Sequence, residues 1–558
     1  MGKVYGIDLG TTYSAIATLD DSGNPVIIEN FDDSVPFLAS AVYFPEGGDP
    51  VIGKEAKNQA ETDPARVVQF VKRSIGKDDI KFPFDGVEYT PITISALILK
   101  RMKEYAESQG HEVKDVVITC PAYFGTEERN ATKQAGEIAG LNVLNIVNEP
   151  TAAALNYCAR EFQENRKILV YDLGGGTFDI TLMQLSVDEE GKASISTIKT
   201  DGDDRLGGKD WDDNLFALVK EQYQKETGTE GEKLASDEEA LLRRQIEDLK
   251  KSLSNLPKKS FSVNCKGNPV RIEVTREQFE SVTADLVVRT TGFVESLLSD
   301  AGLTPDDIDT FLLVGGSTRM PMIKTAVENI FPGKVRFEDP DLAVAKGAAL
   351  AAAIEWNENV LPEMVKAAGE KLSETGDAPQ KINVPSVLSN GNAFTDIISR
   401  TFGLGVMKRG ENGSGDEYVV DNLLFVGDES PKEVGDVYNP YQDNLDALTI
   451  PIFESLADQS QKFIAPCQDL DENPVDSDPA LMVKYLGKVL LPLPPNTPRT
   501  TEIEIVFRIG TDGLQVRAVN KSTGESVEAL IQSSNTMSKE EVEQEKKRFA
   551  GLQTRGQI

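Results

Sequence analysis

Two short stretches of the chain repeat one arrangement of residues. Residues 7–12 read Ile-Asp-Leu-Gly-Thr-Thr, and residues 171–177 read Tyr-Asp-Leu-Gly-Gly-Gly-Thr. In each, an apolar run leads to an aspartate, a glycine turn and a hydroxyl residue. A strand ending in aspartate places a carboxylate at its tip, and the glycines behind it let backbone N–H groups approach an anion closely. Two such turns facing each other would clamp the phosphates of a nucleotide, with Gly10, Thr11 and Thr12 on one side and Gly174, Gly175, Gly176 and Thr177 on the other. Asp8 and Asp172 would hold Mg²⁺ through its waters. A third glycine turn, Gly315-Gly316-Ser317-Thr318-Arg319, follows another apolar run. A lone glycine turn is usually only a turn, but three of them, two preceded by aspartate, favour phosphate chemistry. The pattern Gly-x4-Gly-Lys-Ser/Thr is absent from the sequence, which excludes a P-loop.

These turns need strands to present them. Residues 3–9 predict a buried strand with Ala15–Leu19 as its hairpin partner, and Val116–Thr119 and Val143–Val147 predict two more. Helices are expected from about Thr126, over Glu149–Cys158, over about 236–255 and about 276–300, with an N-cap at Thr304, and over Ala343–Ile354. Lys167–Asp172 restarts the strand–turn–strand pattern. The two aspartates lie 172 − 8 = 164 positions apart, one domain-sized unit, so the pattern predicts an internal duplication with a cleft between its halves. Residues 369–395 have the composition of a linker. Residues 397–532 alternate short apolar runs with turns, including a hairpin joining Glu502–Ile509 to Leu514–Val519, and predict an all-β domain. A capping box at Ser538–Glu541 opens one charged helix.

Composition narrows the function classes. With 558 residues the chain is long enough for two to four domains. A formal net charge of −33 argues against nucleic-acid and anionic-membrane partners. Four dispersed cysteines without a Cys-x-x-Cys pair suit a reducing cytoplasm, and the chain begins in a strand rather than a signal peptide. The one histidine, His111, lies in a polar turn, which leaves the chemistry to carboxylates, lysine, threonine and a metal ion.

The strings GIDLGTTYSAIA, FVKRSIG, ITCPAYF, NEPTAAAL, YDLGGGTFDI, LGGKDWD and LVGGSTRMP, in that order over residues 3–354, closely resemble the seventy-kilodalton heat-shock chaperone family. A weaker resemblance runs over 399–532 through LPPNTPR, EIEIVF and the GTDGL hairpin. It implies an α/β actin-like, duplicated ribonuclease-H-like ATPase domain over 1–368, a linker over 369–398, a peptide-binding β-sandwich over 399–534, and a short helix over 535–558 as the remnant of a lid. It implies slow hydrolysis of ATP to ADP with Mg²⁺, and with K⁺ as an additional candidate ion. By resemblance, Lys72 orients γ-phosphate and water, Glu149 stands near the attacking water, and Asp172 and Thr177 complete the catalytic set. Asp8, Asp172 and Asp179 match the magnesium site. Tyr13, Glu247, Lys250 and Ser254 match adenosine-side contacts, as do Gly315, Gly316, Ser317, Arg319 and Asp341. Pro121 and Arg129 match a relay between nucleotide state and domain docking.

The sequence departs from the family where the domains would communicate. The linker aspartate falls on Ile398 and its arginine partner on Asn145, so both halves of an expected ion pair are missing. That argues against stimulation by the usual J-domain co-chaperone, while a nucleotide-exchange factor stays among the expected partners. The peptide cleft maps to Val406, Tyr438, Leu448 and Ile450, with Arg409 and Tyr441 at the family's apolar arch. Leu448 and Ile450 read equally well as sandwich core. The leading expectation is an ATP-dependent chaperone for extended peptides. A rival is an ATP-sensing scaffold for one dedicated partner; a small-molecule kinase and a filament former are weaker rivals.

Overall fold

The computed structural model describes residues 4–29, 35–160, 164–191, 193–265, 267–337, 339–368, 380–385, 388, 394–409, 416–469, 473–510, 513–531 and 536–555. These divide into two compact units. The first comprises Met1–Tyr123, Thr132–Phe394 and Lys539–Ile558, and the second Phe124–Ala131 and Thr395–Ser538.

The duplication is explicit in the first unit. Five strands of one sheet are β1 (Val4–Asp8), β2 (Tyr13–Leu19), β3 (Pro25–Ile27), β4 (Asp115–Cys120) and β5 (Asn142–Asn148). Their counterparts are β6 (Arg166–Leu173), β7 (Phe178–Val187), β8 (Ala193–Asp203), β9 (Thr310–Val314) and β10 (Val335–Arg336). The first set lies in the order β5-β4-β1-β2-β3 and the second in the order β10-β9-β6-β7-β8. Pairing repeats as well. β1 is antiparallel to β2 and parallel to β4, with Asp8 opposite Ala15 and Thr119. β6 is antiparallel to β7 and parallel to β9, with Asp172 opposite Asp179 and Val314. The aspartates therefore occupy equivalent places near the carboxyl ends of the leading strands, where open α/β sheets present their ligands.

One core joins the two halves. The helix Ala343–Glu355 is buried on every side and packs on the helix Glu149–Cys158, on β1 and on β2. Alanine makes this possible: its small side chain lets helix and strand backbones approach, and it has the highest helix propensity. At two crossings even alanine is too large. A β-carbon on Gly347 would fall inside the Ala152 carbonyl, and one on Gly6 inside the Ala349 backbone. A second core, in the later half, gathers Trp211, Leu215, Ile246, Leu249 and Phe279 from the helices Gly208–Thr227, Ser236–Asn255 and Arg276–Val282.

Most expected elements form. The helix expected over about 276–300 is interrupted: Arg276–Val282 and Ala284–Asp300 flank Thr283, whose hydroxyl donates to the Phe279 carbonyl at 2.8 Å. The Thr304 N-cap opens a single 3-10 turn, Pro305–Asp307, because the chain must immediately enter β9. Part of the expected linker folds into the first unit. Asn357 holds Ile382 by two hydrogen bonds of 2.8 Å, and Leu388 is buried in the shared core; residues 369–379, 386–387 and 389–393 lie outside the described residues.

The segment expected as a lid remnant also belongs to the first unit. The helix Lys539–Ala550 buries Val542 and Phe549, and Arg548 lies over the Tyr89 ring. Beyond it, Arg555 pairs through its backbone with Pro50 and Ile52, both at 2.9 Å, and its guanidinium meets Asp49 at 3.1 Å.

The second unit contains a β-sandwich. Five antiparallel strands run in the order Phe463–Ile464, Glu417–Leu424, Thr401–Lys408, Ala447–Ser455, Lys484–Pro492. Four more run Lys432–Tyr438, Ile503–Gly510, Gly513–Asn520, Ser526–Leu530. Their inner faces share one core, in which Phe402, Leu404 and Ile452 meet Ile505, Phe507 and Val516.

Candidate functional site

The first unit holds a cavity of about 660 Å³ lined by all three glycine turns. The first two turns touch. A β-carbon on Gly175 would collide with the Thr12 hydroxyl, and one on Gly176 with the Thr11 side chain, so the glycines are what allow the approach. Their carbonyls are pinned. Gly174 O accepts from Gly208 N at 2.9 Å and from Ser317 Oγ at 2.8 Å. Gly175 O accepts from Lys209 N at 2.9 Å, and Gly176 O from Arg73 Nε at 2.8 Å. A trans peptide points its N–H opposite its C=O, so these bonds also fix the N–H groups of Gly175, Gly176 and Thr177. On the first turn, Gly10 O accepts from Ser40 Oγ at 2.8 Å and Gly10 N donates to Ser14 Oγ at 3.2 Å.

Between the turns lies a buried charge cluster. Lys72 and Glu149 form an ion pair with both side chains almost fully buried. Asp8, Asp172 and Asp179 stand around it. Burial, then repulsion from Glu149, pushes the Asp8 carboxyl up to about 7, and the same two causes raise Asp172 and Asp179 well above the usual carboxylate range. Lys72 opposes all three shifts, and the Asp8 and Glu149 charges keep its own ammonium protonated despite burial. Asp179 Oδ1 accepts from Ala122 N at 3.0 Å. The cluster gathers four carboxyl groups around one ammonium, and a bound cation would relieve the repulsion that raises three of them. Among the described residues no three acidic, histidine or cysteine side chains could hold a metal ion directly.

Helix Ser236–Asn255 supplies another wall of the cavity. Glu247, Lys250 and Ser254 line it, with Lys251 and Asn255. Glu247 meets Lys57 at 2.6 Å and Lys251 at 2.8 Å, and accepts from Tyr13 Oη at 3.1 Å. These two cations outweigh burial and hold the Glu247 carboxyl well below its ordinary range. Lys250 Nζ donates to Asp212 at 2.7 Å and to Gly208 O at 2.8 Å. Arg319 Nε donates to Asp341 Oδ2 at 2.9 Å, beside Gly315, Gly316 and Ser317. Lys57, Lys251, Asp212 and Arg73 were not expected at the site. Lys57, Asp212 and Arg73 reach their partners across the fold, which leaves no local mark, while Lys251 sits at i+4 from Glu247 on one helix.

Burial raises the Asp212 carboxyl to about 6, with Lys250 pulling the other way. An acid whose folded-state pKa lies above its unfolded value loses stability as pH rises between the two, here from 3.8 to about 6. At about 1.4 kcal/mol per unit the group withdraws about 3 kcal/mol across that window. Asp212→Asn is expected to remove that part of the slope, measured by denaturant unfolding of both proteins at pH 4 and pH 7. Parallel slopes would contradict the assignment.

The remaining candidate residues fall as follows. Arg129 Nε donates to Phe124 O at 3.2 Å, and Pro121 is buried. Asn145 donates to Glu355 at 2.7 Å, and Ile398 is buried in the sandwich core, its N–H on Asp428 O at 2.7 Å. In the second unit, Leu448 and Ile450 are core residues, and Val406 and Tyr438 pack against that core. Tyr438 Oη donates to Asp421 at 3.0 Å. Arg409 is exposed and Tyr441 is 55% exposed. Burial of Leu448 and Ile450 matches the core reading of their alternation, so the arrangement offers no ready apolar slot at those two positions.

The model of the Hsp70 protein family matches residues 4–366, the stretch that carries the cavity and all three turns. The chain belongs to the Hsp70 family. Among curated relatives, the proteins described as chaperone protein DnaK from Thermotoga neapolitana, Thermotoga petrophila and Thermotoga maritima are each 44% identical to it over 363 residues. That stretch is 63% of this chain and 59% of each relative, so the chain matches under two thirds of their length. The two Asp-Leu-Gly turns are thus the walls of an Hsp70 ATPase-type, actin-like cleft. Among the described residues no helix is long and apolar enough to cross a membrane.

Proposed function

We propose that this chain is an ATP-hydrolysing molecular chaperone that couples nucleotide turnover to binding and release of extended peptides. The observation that carries the reading is the buried Lys72–Glu149 pair set between two touching glycine turns. The turns bind the phosphates through fixed N–H groups and the hydroxyls of Thr11, Thr12 and Thr177. Lys72 holds the γ-phosphate, and Glu149 accepts a hydrogen bond from the attacking water. The water oxygen forms a bond to phosphorus as the bridging P–O bond breaks, giving ADP and phosphate. Asp8, Asp172 and Asp179 would hold hydrated Mg²⁺, which supplies neutralising charge to the phosphates. Adenosine lies on Glu247, Lys250, Ser254 and Arg319.

The β-sandwich is the peptide-binding part of this reading, through Val406 on the five-stranded sheet and Tyr438 on the four-stranded sheet. Arg409 and Tyr441 would meet the peptide at the surface, and Arg409 would favour acidic segments. The expected compartment is the cytoplasm, with an exchange factor as an expected partner.

The test is ATP hydrolysis by the full chain with and without a library of extended apolar peptides. Acceleration by many peptides supports the chaperone. Acceleration by none, or tight binding of a single ligand only, would overturn it.

A further inference from the structure

The nucleoside end of the cavity carries an aromatic side chain that no motif points to. Phe337 lines the same cavity as Gly316, Ser254 and Arg319, and it is 40% exposed although large and apolar. The Arg319 guanidinium lies 5.6 Å from the Phe337 ring centroid, within the range of a cation–aromatic contact. The same guanidinium is gripped at its edge by one oxygen of Asp341, through Nε at 2.9 Å and through a second nitrogen.

These two contacts differ in what they constrain. A carboxylate oxygen on the edge fixes where the fork sits but leaves it free to tilt about that contact. An aromatic ring set over the flat cation removes the tilt. Arg319 is itself half-exposed, so little else holds its plane. An exposed arginine that offers its plane to a ligand would otherwise lose rotamer freedom on each binding event.

We infer that Phe337 is a positioning residue for the nucleobase: with Asp341 it holds the Arg319 guanidinium flat, so that Arg319 presents a pre-set stacking surface to a purine. The role rests on the cavity being a nucleotide site, and it concerns the base alone. Phosphate binding at the glycine turns does not depend on it.

The test compares ATP with inorganic tripolyphosphate, which keeps the phosphates and lacks the base, by calorimetric titration of the full chain. Phe337→Ala is expected to weaken ATP binding about five- to tenfold and to leave tripolyphosphate within about twofold. Phe337→Trp, which keeps an aromatic face, restores ATP binding, whereas Phe337→Leu does not. Arg319→Ala weakens ATP binding, and adding Phe337→Ala to it has little further effect, because the ring acts through the guanidinium. The role is overturned if Phe337→Ala leaves ATP affinity unchanged, weakens both ligands equally, or adds its full effect to Arg319→Ala. A wild-type chain that binds neither ligand would instead overturn the nucleotide reading, and Phe337's role with it.

Discussion

Lys72→Ala is expected to slow single-turnover ATP hydrolysis by about 100-fold or more, the usual cost of losing one transition-state donor in a dry site. ATP binding should fall far less, since the glycine turns and the nucleoside contacts remain. The variant should also be less stable. Lys72 is 5% exposed and neutralises Glu149 directly. It also lowers the pKa of Asp8, Asp172 and Asp179. Removing one partner of a buried pair costs about 3–5 kcal/mol. Those carboxyls have raised folded-state values, so the protonated forms favoured at low pH are the ones the folded cluster tolerates. The deficit should therefore be largest above pH 7 and shrink as pH falls through the range in which they take up protons. Thermal unfolding at pH 5 and pH 8, beside hydrolysis with protein in excess over ATP, checks both parts. A wild-type rate in Lys72→Ala would remove Lys72 from the catalytic set.

The second large effect lies in the core. Gly347→Ala adds one methyl group, yet that group would occupy the space of the Ala152 carbonyl. Neither helix can retreat easily, because Ala343–Glu355 is buried against β1 on one side and against Glu149–Cys158 on the other. The expected loss is about 3 kcal/mol or more, at the upper end for overpacking, with ATP affinity falling as the helix that begins at Glu149 is displaced. Gly292→Ala is the control. It sits within helix Ala284–Asp300, and a β-carbon there meets nothing within 4 Å. Helix propensity alone then predicts a gain of up to about 1 kcal/mol. Urea unfolding of the two variants separates packing from propensity; equal stabilities would refute the crossing argument.

The paired glycine turns were legible before any fold was known, because their signals are local. A turn that must approach a phosphate needs glycine, and a strand tip that faces a cation needs a carboxylate. Both requirements act within a few residues, so Asp8–Thr12 and Asp172–Thr177 announce themselves. The duplication was legible for the same reason, since the two turns repeat at a domain-sized interval and their strands pair identically.

Where charges pair across long distances, the sequence is silent. Lys57 looks like a solvated helix lysine until the fold brings it to Glu247, 190 positions away, whereas Lys251 sits one helical turn from Glu247 and its pairing is local. Phe337 looks like an ordinary apolar residue until its ring is found beside Arg319. Segments following the first unit's helices were also undetermined. Gln380–Pro385 has the composition of a linker, yet the Asn357 side-chain amide ties it to the first unit, donating to the Ile382 carbonyl and accepting from the Ile382 N–H. The charged helix Lys539–Ala550 reads as a lid remnant, yet it buries Phe549 in that unit.

By itself, then, the sequence determined the paired glycine turns, the repeated strand pattern, the β-rich second part and the family, because each follows from spacing within a strand, turn or helix. Only the tertiary structure decided which carboxylates crowd Lys72, which lysines meet Glu247, and where residues 380–385 and 539–555 belong. Those outcomes depend on burial and, for all but the Lys251–Glu247 pair, on partners beyond the same helix or strand, at separations such as 25 positions for Asn357–Ile382, 77 for Lys72–Glu149 and 190 for Lys57–Glu247, which local spacing does not mark.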